Sequence, residues 1–214
     1  MSNYSLSLDS LTKVFGRRLI FDKLTYEFKP GTVYGISGPN GSGKSTLSKI
    51  IAGIITPTHG KVVHKLGDEV IKVEHLHNHI GFVSPYLLLY DEFTALENLN
   101  HFARIRGVEF DAERCDALLN RFDIYSRRKD YVKTYSSGMK QRLKFVFAFM
   151  HRPNLLILDE PTSNLDNQGK DAVYQIIKDE LKENIIIIAS NEDADLARCS
   201  EVIYLENFKI KNGK

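Results

Sequence analysis

The segment Gly38-Pro-Asn-Gly-Ser-Gly-Lys-Ser45 places three glycines, a lysine and a closing serine within eight residues. It follows a run of strand-forming residues, Thr32–Ile36, and a helical pattern begins at Lys44. The order of strand, glycine-rich turn and helix, with the spacing G-x-x-x-x-G-K-S, is typical of a phosphate-binding loop. A glycine-rich turn that arose by chance would not need a strand directly before it and a helix directly after it. The segment therefore predicts a nucleoside triphosphate site.

Each residue type in this loop has a physical reason. Gly41 and Gly43 permit backbone conformations that turn N–H groups toward a phosphate. The start of the following helix adds unpaired donors and the positive end of a dipole. We expect Lys44 to contact the β- and γ-phosphates and the Ser45 hydroxyl to bind Mg²⁺. The residues predicted to contact the nucleotide here are Gly38, Pro39, Asn40, Gly41, Ser42, Gly43, Lys44, Ser45 and Thr46.

Two acids follow an apolar run later in the chain. Leu155–Leu158 is a continuous apolar strand pattern, and Asp159 and Glu160 come directly after it. Ligands of parallel sheets bind beyond the carboxyl ends of the strands, where these acids would emerge. We predict that Asp159 binds Mg²⁺ and that Glu160 is the catalytic group that orients or deprotonates an attacking water.

Composition limits the classes of protein to consider. The 214 residues carry a net charge of +2, with 43% hydrophobic and 26% charged residues. These values exclude disordered and collagen-like chains, and the near-even charge does not favour nucleic acid as a partner. No apolar run approaches the roughly 18 residues of a membrane span, and the start lacks the pattern of a signal peptide. We expect one cytoplasmic domain.

The patterns of hydrophobicity change along the chain. The first 35 residues alternate as β-strands do, and a helix is predicted from Lys44 to about Ile55. Asp91–Met150 is mostly helical in pattern, and the last third returns to strands and helices, with continuous apolar runs at Ile185–Ile188 and Val202–Leu205. Continuous apolar strands that alternate with helices predict a parallel sheet covered on both faces.

Short strands are predicted over Gly60–Val83, a region that contains three alternating histidines. On a strand, His75, His77 and His79 would share one face, as a metal site requires. No acidic or cysteine partner is fixed nearby, so a solvated strand is the favoured interpretation.

A third motif links the phosphate-binding loop to the acids. Tyr135-Ser-Ser-Gly-Met-Lys-Gln-Arg-Leu143 resembles the signature motif of ATP-binding cassette (ABC) ATPases, usually written LSGGQ. Asp159-Glu-Pro-Thr-Ser-Asn-Leu-Asp166 resembles the Walker B, catalytic glutamate and D-loop run of the same family. The three motifs occur in the family's order, and the resemblance covers essentially the whole chain.

The resemblance implies an α/β fold: a RecA-like P-loop NTPase core with an N-terminal antiparallel β region and an inserted α-helical subdomain. Residues 1–214 would form a single ABC ATPase domain. Its nucleotide-binding core would comprise residues 1–85 and 151–214, and its helical signature subdomain residues 86–150. The implied cofactors are ATP and Mg²⁺.

The resemblance also implies residues that complete the nucleotide site. Phe15 occupies the position of an aromatic residue that stacks on adenine, although it could instead be a core residue. In the family, the signature segment faces the γ-phosphate on the other subunit of a head-to-tail dimer with two ATPs. Ser136, Ser137 and Gly138, with Asp166 of the D-loop, would thus contact the partner's nucleotide. An ordinary helix N-cap is the alternative for the two serines.

Two residues that the family normally has are replaced. Proline at Pro85 stands where a glutamine coordinates Mg²⁺, and it supplies neither a donor nor an oxygen from its side chain. The hydroxyl of Ser84 or Tyr86 is the nearest substitute. Asn191 stands where a histidine contacts the γ-phosphate, and an asparagine cannot carry a proton or a charge. We expect slow hydrolysis, in which Lys44, Glu160 and Asn191 act.

The function that the resemblance implies is an ATP-binding subunit that powers a separate transmembrane permease, bound at the cytoplasmic face of the membrane. It would pair with a second copy or with a different cassette. The Thr94–Leu99 run resembles the haem-exporter branch and related short exporters of the ABC-2 type, which favours export. No C-terminal regulatory domain is expected. The rivals are an ATP-dependent dimerisation switch with vestigial hydrolysis and a soluble ABC protein that acts on ribosomes or DNA.

Overall fold

The computed structural model describes residues 3–181 and 184–209. Near the N-terminus, alternating burial along the strands produces an antiparallel sheet with one face on the core. Its strands are β1 (Tyr4–Phe15), β2 (Arg18–Phe28), β4 (His59–Leu66) and β5 (Glu69–Val70), in the order β2-β1-β4-β5. The predicted N-terminal antiparallel β region is confirmed.

A second sheet of five strands forms the centre of the molecule. Its strands are β3 (Thr32–Ser37), β6 (Ile80–Val83), β7 (Leu155–Asp159), β8 (Ile185–Ala189) and β9 (Glu201–Tyr204). They lie in the order β6-β7-β8-β3-β9, and every neighbouring pair is parallel. All residues of β7 and β8 are buried, which explains their continuous apolar sequences. The predicted parallel sheet is confirmed.

The α-helices cover this sheet and form the segment between β6 and β7. They are α1 (Lys44–Ile51), α2 (Ala95–Arg106), α3 (Ala112–Arg121), α4 (Ser137–Phe149), α5 (Asn167–Glu180) and α6 (Asp193–Leu196). Short 3-10 helices occupy Val73–Asn78, Tyr125–Arg127, Val132–Thr134 and Leu205–Phe208. Helices α2, α3 and α4 agree with the helical pattern of Asp91–Met150. Within the described parts of the chain, no helix has the length and apolar character needed to cross a bilayer.

Two local predictions were wrong. The helix expected to reach Ile55 ends at Ile51, because Gly53 adopts a left-handed conformation with φ +72° that ends the helical path. The short strands predicted over Gly60–Val83 are present as β4, β5 and β6, but the segment that carries His75 and His77 forms a 3-10 helix and not a strand. These histidines therefore share no strand face with His79, and the described residues contain no cluster of three or more metal-binding side chains.

The two faces of the parallel sheet support separate hydrophobic clusters. Leu156 and Leu158 pack on one side with residues of α3, α4 and α5, whereas Leu155 and Ile157 pack on the other with α1 and the antiparallel sheet. Since β3, β7 and β8 are parallel neighbours, their carboxyl ends emerge at one edge. That edge brings together the glycine-rich loop, the acids after β7 and the residues after β8.

Candidate functional site

The loop between β3 and α1 requires glycine at its last turn. Gly43 has φ +113°, and a Cβ there would lie 2.3 Å from Cγ2 of Ile20. Gly41, at φ +75°, also has a left-handed backbone that other residues rarely adopt. Gly43 is the N-cap of α1 and offers no side-chain acceptor to the first-turn N–H groups. The loop thus presents backbone donors to an anion.

Lys44 is nearly buried and closes the loop on itself. Its ammonium donates a hydrogen bond to the Gly38 carbonyl at 2.9 Å, and the Ser42 N–H donates to the Pro39 carbonyl at 3.0 Å. An ammonium has three donors, so the contact to Gly38 fixes the side chain and leaves donors for a phosphate. The positive charge is therefore held inside the turn that the glycines create.

Asp159 lies fully buried beside Ser45. Its Oδ1 accepts a hydrogen bond from the Ser45 hydroxyl at 3.1 Å, and its buried Oδ2 has no hydrogen-bond partner among the described residues. Burial raises the pKa of Asp159, while the Ser45 hydrogen bond lowers it; Glu160 raises it further, and Lys49 and Lys44 lower it. An unpartnered carboxylate oxygen beside a hydroxyl is a donor set that suits Mg²⁺, which binds few protein oxygens together with phosphates and waters.

We expect Asp159→Asn to weaken binding of Mg²⁺-ATP about tenfold, because the amide removes the charge that faces the metal. Binding of ATP in the presence of a chelator should be unchanged. The measurement is an ATP titration with and without Mg²⁺, with the exposed Asp171→Asn as the matched control. An equal loss under both conditions would contradict the metal-binding role.

Glu160 is held in a backbone conformation that is uncommon for its residue type. Its φ is +50°, its N–H donates to the Ala189 carbonyl at 2.8 Å, and its carbonyl accepts from the Ser163 hydroxyl at 2.9 Å. Such conformations persist only where the surroundings enforce them, and they cluster at functional sites. The two hydrogen bonds fix Glu160 between the end of β8 and the segment that follows β7.

The phosphate-binding loop and Glu160 line one cavity of about 450 Å³. It has the size of a small-molecule site. The residues that line it are Phe15, Arg18, Ile20, Asn40, Gly41, Gly43, Lys44, Ser45, Thr46, Tyr86 and Glu160. The phosphate-binding loop and the expected catalytic acid therefore face the same space.

Phe15 is 49% exposed at the end of β1, so the interpretation of this residue as a core phenylalanine was wrong. The ammonium of Lys13 lies 4.6 Å from its ring centroid. The ring also lines the cavity that contains Lys44. An exposed aromatic ring at this position is available for stacking on a base, and its contact with adenine stays a prediction.

Asn191 follows β8 and reaches the phosphate-binding loop. Its Nδ2 donates a hydrogen bond to Oδ1 of Asn40 at 3.4 Å. The residue predicted to replace the histidine thus lies next to the loop. Its backbone is placed by Ser190, whose N–H donates to the Ile36 carbonyl at the end of β3.

The signature segment forms the start of α4. Ser136 is the N-cap, and its Oγ accepts a hydrogen bond from the Met139 N–H at 3.2 Å, so the N-cap alternative is confirmed for this serine. Ser137 is the first helical residue. A Cβ on Gly138 would lie 3.2 Å from the Asn164 carbonyl, so the segment packs closely against the run after the acids.

Asp166 caps the next helix and binds the signature helix. It accepts from the Gly169 N–H at 2.9 Å and from Arg142 of α4 at 2.8 Å, and these two contacts, the first foremost, lower its pKa. Neither Asp166 nor the Ser136–Gly138 segment lines the cavity that contains Lys44. Within one chain, the residues predicted to contact nucleotide therefore form two separate groups.

Two residues at or near the site carry no signal in the sequence that would predict their contacts. Arg18 donates to the Gly41 carbonyl at 2.9 Å and lines the cavity, yet its position after a Gly-Arg turn carries no distinctive signal. Asp195 of α6 is buried and accepts from the hydroxyls of Tyr174, Ser190 and Thr162 at 2.6, 2.7 and 3.1 Å. In the sequence Asp195 stands in an acidic stretch, a pattern that indicates the exposed start of a helix.

Residues of both groups fall within the range of one sequence family. The sequence model of a family described as "ABC transporter" matches residues 21–163, a range that contains the phosphate-binding loop, the signature segment and both acids. The chain belongs to the ABC transporter family. It is an ABC nucleotide-binding domain, as its motifs predicted.

Similar proteins agree with this membership. The "Uncharacterized ABC transporter ATP-binding protein YdbJ" of Bacillus subtilis is 35% identical over 99% of this chain and 69% of its own length. The "Nod factor export ATP-binding protein I" of Cupriavidus metallidurans is 31% identical over 98% of this chain and 71% of its own length. A dimeric ATP-binding cassette solved in a post-hydrolysis state with ADP and Pi has a TM-score of 0.83 at 23% identity, over 98% of this chain and 97% of that chain. The structural likeness confirms the predicted ABC ATPase fold.

Proposed function

We propose that this ABC protein is the ATP-binding and ATP-hydrolysing subunit that powers a membrane transporter through ATP-driven dimerisation. The observation that carries the proposal is the cavity in which Lys44, Ser45 and Glu160 face the same space. Beside it, Asp159 accepts a hydrogen bond from Ser45 with one carboxylate oxygen and leaves the other without a partner among the described residues. These are the parts that phosphoryl transfer to water requires.

Each residue has a separate task in this proposal. The N–H groups of the loop and Lys44 bind the phosphates. Ser45 and Asp159 would hold Mg²⁺, which would supply positive charge that neutralises the phosphates. Glu160 orients a water and accepts its proton as the oxygen bonds to the terminal phosphorus. The bond from that phosphorus to the bridging oxygen breaks, and ADP and phosphate result.

The separation of the two groups supports a dimer. The first-turn N–H groups of α4, at Ser137 and Gly138, are donors for an anion, but this segment lies away from the cavity of its own chain. A head-to-tail pair would bring the segment from one subunit to the ATP of the other. The solved cassette with ADP and Pi is itself described as dimeric. The partner is a second copy of this chain or a different cassette.

We infer that the permease binds at a second cavity, of about 570 Å³. It lies among α2, α3 and the residues before them, and its lining combines Phe93, Leu96 and Phe110 with Arg104. Mixed apolar and charged linings of this kind suit the end of a membrane subunit's helix at the cytoplasmic face. The similarity to a Nod factor export protein favours export as the direction.

The test is ATP turnover of the purified chain across a series of protein concentrations. If two copies form the active unit, turnover should rise with the square of concentration below the dimer dissociation constant. Lys44→Ala should abolish it, because the phosphates lose their charged partner. If turnover at every concentration stays equal to that of Lys44→Ala, two copies of this chain do not form an active ATPase.

The second candidate function is an ATP-dependent dimerisation switch with vestigial hydrolysis. Pro85 and the uncharged Asn191 favour it, because they stand where the family resemblance implies a glutamine that coordinates Mg²⁺ and a histidine that contacts the γ-phosphate. This candidate predicts a tight dimer in the presence of ATP together with background turnover. Size-exclusion chromatography with light scattering, run beside the turnover assay, distinguishes the two candidates.

A further inference from the structure

Tyr86 occupies an unusual place beside the cavity that contains Lys44. It lies two residues after Ser84 in the segment that follows β6, and it is 70% exposed. Its side chain lines the same cavity as Lys44, Ser45 and Glu160. Within residues 3–181 and 184–209, the Tyr86 hydroxyl makes no hydrogen bond, so its donor is available to a ligand.

The ring of Tyr86 contacts a charged residue of α1. The ammonium of Lys49 sits 4.6 Å from the ring centroid, which is a cation–π distance. Lys49 belongs to α1, one turn after Ser45, and its charge also acts on the Asp159 carboxylate. A side chain that contacts Lys49 is therefore placed near Ser45 and Asp159.

The backbone at Tyr86 is fixed from two sides. The buried Ser84 hydroxyl accepts a hydrogen bond from the Tyr86 N–H at 3.3 Å. The ammonium of Lys144, on α4, donates to the carbonyl of Pro85 at 3.0 Å and to that of Ser84 at 3.3 Å. Because Ser84 is buried and does not line the cavity, Tyr86 carries the one hydroxyl that residues 84–86 offer to the cavity within the described structure.

We propose that the hydroxyl of Tyr86 donates a hydrogen bond to the terminal phosphate of bound ATP. The side chain of Pro85 cannot make this contact. The inference rests on the proposed function, since it needs ATP in this cavity. A phenol donates a hydrogen bond without releasing its proton, so Tyr86 binds and orients the phosphate and leaves proton transfer to Glu160. ADP lacks the terminal phosphate, so Tyr86 raises the preference for ATP over ADP.

The test uses Tyr86→Phe, which keeps the ring on Lys49 and removes only the hydroxyl. Dissociation constants for Mg²⁺-ATP and Mg²⁺-ADP are measured in a Glu160→Gln background, so that ATP stays intact. We expect ATP binding to weaken about tenfold, the effect of one hydrogen bond to a charged group, and ADP binding to stay unchanged. Tyr131→Phe, at another exposed tyrosine outside this cavity, is the control and should alter neither constant.

Two results would overturn the inference. If ATP and ADP weaken equally, the hydroxyl acts on a part that both nucleotides share; if neither changes, it does not contact the phosphates. Both results require that Glu160→Gln itself binds ATP, so they leave the proposed function standing. If the Glu160→Gln parent binds no ATP, the proposed function and the role of Tyr86 both fail.

Discussion

Glu160→Gln is expected to lower ATP turnover by roughly 10²- to 10⁴-fold, the range for loss of a general base. Glutamine has nearly the same shape but cannot accept a proton from water. Lys44, Ser45 and Asp159 are unchanged by the substitution, so ATP binding should persist. The variant should then accumulate as an ATP-bound dimer, because hydrolysis, which ends the ATP-bound state, is slowed.

The two expectations are measured separately. Phosphate release reports turnover, and light scattering with ATP reports the dimer. Glu113→Gln, at an exposed glutamate in the first turn of α3, is the control and should behave as the native chain. Loss of a general base usually leaves about a hundredth of native turnover or less. If Glu160→Gln keeps more than about a tenth, another group accepts the proton.

The residues of the core site could be predicted from the sequence because their signals are local. A strand, a glycine-rich turn and a helix occupy consecutive positions around Gly43, and the two acids directly follow the apolar run of β7. Parallel strands place such loops at one edge, so proximity follows from the strand order. The structure brings Lys44, Ser45 and Glu160 to one cavity as that reasoning requires.

The remaining features depend on contacts between distant segments. The 3-10 helix at Val73–Asn78 has no periodic pattern long enough to distinguish it from strands. Nothing near Tyr86 in the sequence indicates that Lys49 and Lys144 will hold it, because these residues come from α1 and α4. The buried carboxylate of Asp195 is likewise satisfied by three hydroxyls that separate segments supply.

Asp195 has a consequence for the site. It accepts hydrogen bonds from Thr162, two residues after Glu160, and from Ser190, the residue before Asn191. A buried carboxylate that is satisfied by several hydroxyls fixes the segments that carry them. The same group therefore sets the position of the run after β7 relative to the end of β8. The proposed base and the residue beside the phosphate-binding loop are thus placed by one buried side chain.

Asn191→His is expected to raise turnover about 30-fold or more, because a charged donor near the terminal phosphate stabilises the transition state by roughly 2–4 kcal/mol. Asn191 already contacts Asn40 of the phosphate-binding loop, so the imidazole would start from a position next to the nucleotide. The part of the gain that comes from charge requires a protonated imidazole. The gain should therefore be larger at about pH 6 than at about pH 8.

The matched control is Asn191→Gln, which keeps an amide donor, adds length and brings no charge; it should show no gain. Turnover of both variants is measured across the protein-concentration series used for the native chain. A gain that rises with the square of concentration indicates that two copies form the working site. If Asn191→His stays at background while ATP still binds, the missing charge is not what limits hydrolysis. The switch, or a partner cassette that supplies the second site, then explains the two replaced residues better than a slow homodimer does.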